Sequence, residues 1–91
     1  MIAKQIVYTG HVQGVGFRYS VKQIAKGFSV TGWVGNLADG RVELQIAGEA
    51  DEVSAFLKAI NGSELRGHIR ETTETTLTTT PSFRGFEIRH G

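Results

Sequence analysis

Val30-Thr31-Gly32-Trp33-Val34-Gly35-Asn36-Leu37-Ala38-Asp39-Gly40-Arg41-Val42-Glu43-Leu44-Gln45-Ile46-Ala47 (30–47) sets the plan of the chain. Asp39-Gly40 is a strong hairpin signal, because glycine supplies the positive φ that a tight turn between antiparallel strands demands. After the turn the residues alternate. Val42, Leu44 and Ile46 face one way and Arg41, Glu43 and Gln45 the other, the period-two pattern of a half-buried strand. Before the turn, 30–36 is a β-prone run that ends in Asn36. The stretch therefore predicts two strands, 30–36 and 41–47, paired antiparallel.

Upstream of this hairpin, Lys4 to Val12 alternates as another strand, with Ile6, Tyr8, Gly10 and Val12 on one face. From Phe17 the period changes. Phe17, Val21, Ile24, Ala25 and Phe28 fall at helical spacing, while Lys22, Gln23 and Lys26 face away. Gly27 predicts the helix stop, with Phe28 packing back as the cap closes. Downstream, a second helix is predicted from Glu49 to about Asn61. Glu49, Asp51 and Glu52 suit its positive N-terminus, and Val53, Phe56, Leu57 and Ile60 form its apolar stripe.

Gly67 to Thr79 carries Thr72, Thr73, Thr75, Thr76, Thr78 and Thr79, with Glu71 and Glu74 among them. Threonine favours strands, but so polar a strand cannot be covered on both faces, which predicts a sheet edge anchored by Ile69 and Leu77. Pro81 breaks the run, and Phe83 to Arg89 predicts a short last strand. The order β-α-β-β-α-β plus a terminal strand is the split-βαβ, ferredoxin-like plan. Its expected form is α+β, with one antiparallel sheet and two helices on one face. All 91 residues are expected to form one domain, 1–91.

Composition narrows the function. The chain is 40% apolar, has no run approaching a membrane span, and Met1-Ile2-Ala3-Lys4 does not open a signal peptide. It has no cysteine, which removes disulfide and thiol chemistry and suits a cytoplasmic protein. Ten basic and nine acidic residues leave a net charge of +1, without the basic stripe of a nucleic-acid binder. Arg84-Gly85-Phe86 opens like the RNP1 motif of RNA-recognition domains, which share the plan, but Glu87 and His90 break it. His11, His68 and His90 are scattered, so no metal site is expected. Ser20 has no histidine near it in sequence to make it a nucleophile. The expectation is a monomer that takes a small molecule.

One stretch has the chemistry for that. Gly10-His11-Val12-Gln13-Gly14-Val15-Gly16-Phe17-Arg18-Tyr19 is a strand end, a turn through two glycines, and a helix start with arginine at its mouth. Glycine permits positive φ and close backbone approach to a ligand. Successive N–H groups in such a turn form an anion-binding nest, and the free N–H groups of the helix start add to it. Arg18 brings a fixed charge and a planar fork of donors suited to phosphate oxygens. The stretch reads as a phosphate cradle. It is neither a Walker loop, since no Gly-Lys-Ser/Thr follows, nor a dinucleotide fingerprint, since position 19 is Tyr. By position alone, Asn36 is a turn former ahead of anything else.

Val12-Gln13-Gly14-Val15-Gly16-Phe17-Arg18, then Gly32-Trp33-Val34-Gly35-Asn36, then Asp39-Gly40-Arg41-Val42-Glu43 resemble the acylphosphatase family. The resemblance runs from about Lys4 to the closing Gly85-Phe86-Glu87-Ile88-Arg89. It implies a ferredoxin-like fold and hydrolysis of the carboxyl–phosphate bond of acyl phosphates without metal or cofactor. It further implies that backbone N–H groups of Gly14, Val15, Gly16, Phe17 and Arg18 hold the phosphoryl oxygens. Arg18 then neutralises their charge, and the side-chain amide of Asn36 orients the attacking water. Gly35 departs from the pattern, because many members carry Arg or Lys there. Two neighbouring readings stay open: a domain related to hydrogenase-maturation proteins that handle carbamoyl phosphate, and a module that binds phosphate without turnover.

Overall fold

The computed structural model describes residues 1–79 and 81–89. Thr80 of the threonine run, and His90 of the histidine survey and the RNP1 comparison, lie outside them. The order is β1 (Ile2–Gly10), α1 (Phe17–Ala25), β2 (Val30–Asn36), β3 (Val42–Gly48), α2 (Ala50–Asn61), a 3-10 turn (Glu64–His68), β4 (Ile69–Thr76) and β5 (Phe86–Arg89). The strands form one sheet in the order β4-β1-β3-β2-β5.

The first four strands pair antiparallel, as the ferredoxin-like plan requires. The fifth corrects the expectation of a purely antiparallel sheet, because β5 runs parallel to β2. The reason is directional. β4 runs opposite to β2, so the chain leaves β4 at the end of the sheet where β2 begins. A strand added beyond β2 from that end must run alongside it. Four strand spacings separate β4 from β5, roughly 19 Å. The residues from 77 to 85 reach that far with slack.

Registers place the core. Ile6, Leu44, Val34 and Ile88 form one row across the sheet, and Tyr8, Val42 and Asn36 form the next. Ile6, Tyr8, Val34, Val42, Leu44 and Ile46 are buried on this face, under Phe17, Val21 and Ala25 of α1 and Val53, Phe56 and Ile60 of α2. Alternation puts Gln5, Glu43 and Gln45 on the other face, where Glu43 accepts hydrogen bonds from both glutamine amides at 2.6 and 3.0 Å. Phe56 ties the layers together. Its ring lies 5.9 Å from Phe28, which packs back as expected, and 5.8 Å from Phe86 of β5.

Boundaries moved where tertiary contacts intervene. β1 ends at Gly10 rather than Val12, because the register with β4 shifts there and the His11 N–H donates to the His68 carbonyl at 2.9 Å. β4 begins at Ile69 rather than Gly67. Ser63 caps the preceding 3-10 turn by accepting from the Leu65 N–H at 3.2 Å, and that turn buries Leu65. The end of α1 closes through N–H bonds from Lys26, Gly27 and Phe28 to the carbonyls three residues back, so Gly27 needs no left-handed conformation. β4 lies at the sheet edge as expected, exposed from Arg70 to Thr76. No described helix is long and apolar enough to cross a membrane.

Candidate active site

Six residues, 11–16, join β1 to α1. Gly14 and Gly16 both take left-handed conformations there, with φ of +78° and +74°. A Cβ at either would meet nothing within 4 Å, so the need for glycine is conformational rather than steric. Other residues pay about 1–2 kcal/mol for that region. Gly16 is the N-cap of α1 and makes no side-chain cap bond. The first-turn N–H groups, which have no intrahelical carbonyl to reach, therefore start at the end of a glycine-turned loop.

The register explains what lies beside this loop. Asn36 is the last residue of β2 and shares its row with Val42 and Tyr8. Phe17, the first residue of α1, packs its ring 5.2 Å from that of Tyr8. The mouth of the helix thus sits over the row that ends in Asn36. Burial, with a smaller push from the Glu74 carboxylate, holds the Tyr8 phenol far above its ordinary pKa, so it is a neutral packing residue.

An open pocket of about 180 Å³ forms at this junction. Gly14, Gly16, Arg18 and Asn36 line it, with Val12, Phe17, Tyr19 and Ile88 as apolar neighbours. No carboxylate is among them, so nothing acidic in the lining opposes an anion. Five of the six residues expected at the site therefore line one pocket. Val15 does not, and instead packs half-buried against the core. The Oδ1 of Asn36 is buried and finds no donor among the described residues. An acceptor left this way costs about 1–3 kcal/mol, which is unusual enough in a folded chain to call for a reason.

Two contributions escaped sequence reasoning. The first is β5. Arg18 Nη1 donates to the Arg89 carbonyl at 3.3 Å, and Ile88 joins the pocket wall. The parallel pairing of β5 with β2 brings both there, and nothing local in the sequence announces it. The second is Gln13, whose side-chain amide donates to the carbonyls of Leu37 at 2.9 Å and Arg41 at 3.0 Å. A backbone carbonyl has no sequence signature, so only the fold reveals those partners.

The hairpin turn beyond Asn36 is held by its own bonds. Leu37 N–H donates to the Arg41 carbonyl, and the Asp39 carboxylate accepts from the Arg41 N–H at 3.1 Å and its Nε at 2.8 Å. The Arg41 backbone bond, chiefly, with help from its side chain, holds the Asp39 carboxyl below its ordinary value. Gly35 has a packing reason too. A Cβ there would come within 3.3–3.4 Å of Arg89 and Trp33, and the Arg89 guanidinium covers the Trp33 ring at 4.4 Å. Trp33 is not in the pocket lining. The His11 and His68 rings lie 6.4 Å apart. Among the described residues, no group of three His, Cys, Asp or Glu side chains could hold a metal ion.

Comparison with known proteins agrees with this geometry. A family model described as acylphosphatase matches residues 4–88. An acylphosphatase of Lacticaseibacillus paracasei is 39% identical over 88 residues, covering 96% of this chain and 95% of its own length. The crystal structure of acylphosphatase from Bacillus subtilis superposes with a TM-score of 0.88 at 31% identity, covering 98% of this chain and 99% of that one. Full-length HypF, crystallised in a phosphate- and nucleotide-bound form, matches with a TM-score of 0.84 at 27% identity. That match covers 97% of this chain and 12% of HypF. A likeness that enters in β1 and leaves in β5 takes in every strand of the sheet, and on it the chain belongs to the acylphosphatase family.

Proposed function

We propose that this chain is a metal-independent acylphosphatase, hydrolysing acyl phosphates to carboxylate and inorganic phosphate. In this reading the backbone N–H groups from Gly14 to Arg18 and the Arg18 guanidinium receive the phosphoryl oxygens, and Asn36 orients the attacking water. The observation that carries it is the buried, unpartnered Oδ1 of Asn36 in the lining shared with the glycine loop. An amide oxygen that accepts a hydrogen bond from the water leaves a water lone pair for phosphorus.

The reaction asks little more of the protein. The water oxygen bonds to phosphorus in line with the breaking bond to the acyl oxygen, through a loose transition state governed by position and charge. The carboxylate leaves with the bonding electrons and needs no general acid, because its conjugate acid has a pKa of about 4. The water proton passes to a phosphoryl oxygen of the substrate. A side-chain base is dispensable, in keeping with a lining that offers none. Identity of 39% to an acylphosphatase over 95% of that protein's length, against 27% to HypF, supports this reading over a carbamoyl-phosphate domain.

The test is Asn36→Ala. Removing a preorganised group of this kind costs about 3–4 kcal/mol of transition-state stabilisation, or roughly 10²–10³ in kcat. Inhibition by inorganic phosphate should persist, since the cradle is untouched. A folded Asn36→Ala variant with wild-type kcat would rule out the water-orienting role.

A further inference from the structure

We propose that Gln13 is a positioning residue of this site, its side-chain amide clamping the glycine loop to the β2–β3 turn and so fixing the cradle relative to Asn36. The inference rests on the reading of Asn36 given above. Among the described residues, Gln13 is the one side chain between β1 and α1 that hydrogen-bonds to another element. It is half-buried, and it immediately precedes Gly14. Its acceptors lie 24 and 28 residues away, on the two sides of the turn. Leu37 directly follows Asn36, so the clamp grips the chain one residue from the group it sets.

The turn does not depend on this clamp. The Leu37 carbonyl also accepts from the Gly40 N–H at 3.2 Å, and the Arg41 carbonyl from the Leu37 N–H at 2.8 Å. Each carbonyl oxygen has two lone pairs, and Gln13 takes the second on each. The bonds are surplus to folding of the turn. What they add is a fixed relation between two elements. The loop needs one, because its two glycines restrain it little, and a displacement of about 1 Å at a reacting centre can cost on the order of a hundredfold in rate. Both partners are acceptors, so the position requires a donor. Methionine matches glutamine in length without one, whereas lysine keeps donors at similar reach.

The experiment is a cycle of four proteins, wild type, Gln13→Met, Asn36→Ala and the double variant, assayed with benzoyl phosphate, with inorganic phosphate as inhibitor. Gln13→Met should lower kcat on the order of tenfold to a hundredfold while the inhibition constant for phosphate stays within about twofold, because the cradle's own N–H groups remain. In the Asn36→Ala background the same substitution should have no further effect, and Gln13→Lys should recover most of the lost kcat. An equal loss in both backgrounds would overturn the proposal, as would a phosphate constant that rises in step with the loss, or a Gln13→Met variant with wild-type kcat. Wild-type turnover by Asn36→Ala would instead overturn the reading of Asn36, and this one with it.

Discussion

Arg18 shows how a residue's chemistry can be legible when its placement is not. Its position after two glycines, at a helix mouth, gives it the charge and donor geometry that suit a phosphate, which is the role proposed for it. Its bond to the Arg89 carbonyl, 71 residues on, depends on β5 and could not be read. Asn36 is the opposite case. Read locally it is a turn former, and only the row it shares with Val42 and Tyr8 places it beneath the helix mouth. Gln13 stayed silent because its partners are carbonyls. Arg18→Ala should lose about 3–4 kcal/mol of transition-state stabilisation or more, read from kcat/KM. Arg18→Lys should fail nearly as badly, because an ammonium cannot present two parallel N–H donors to one phosphoryl group. A lysine variant at wild-type rate would mean that charge alone suffices.

At the level of elements, the central hairpin and both helices could be read because period and turn chemistry agree there. β2 falls at 30–36 as expected. Ends decided by distant partners were harder. The His11 bond to the His68 carbonyl stops β1, and the 3-10 turn over buried Leu65 delays β4. Two glycines separate conformation from contact. Gly16→Ala puts a Cβ in open space at φ +74°, so it should destabilise by only about 1–2 kcal/mol and still fold, with turnover reduced as the loop relaxes. In Gly32→Ala the Cβ would run into the Gln45 backbone on β3, so the pairing at the centre of the sheet would have to open. Thermal unfolding should show a modest shift for the first and loss of the cooperative transition for the second. Equal, small shifts would contradict this account of the sheet.

Across the whole molecule, helices on one face, the threonine-rich edge and the single core follow from binary pattern, while the parallel β5 follows from where β4 leaves the sheet. Local pattern gives no strand its direction. The core also sets an alkaline limit. Tyr8 is held neutral when folded, whereas in the unfolded chain it ionises near its ordinary value of 10.0. Its contribution is therefore complete below that pH and is lost as pH rises beyond it. Urea midpoints should fall between about pH 9 and pH 11, and by less in Tyr8→Phe; identical declines would place the cause elsewhere. The whole account turns on one assay: hydrolysis of benzoyl phosphate with EDTA present and inorganic phosphate as competitor, for wild type and Arg18→Ala. Turnover that survives EDTA, is competed by phosphate and vanishes in the variant is the predicted result. A folded wild-type protein that binds phosphate and leaves benzoyl phosphate intact would contradict it.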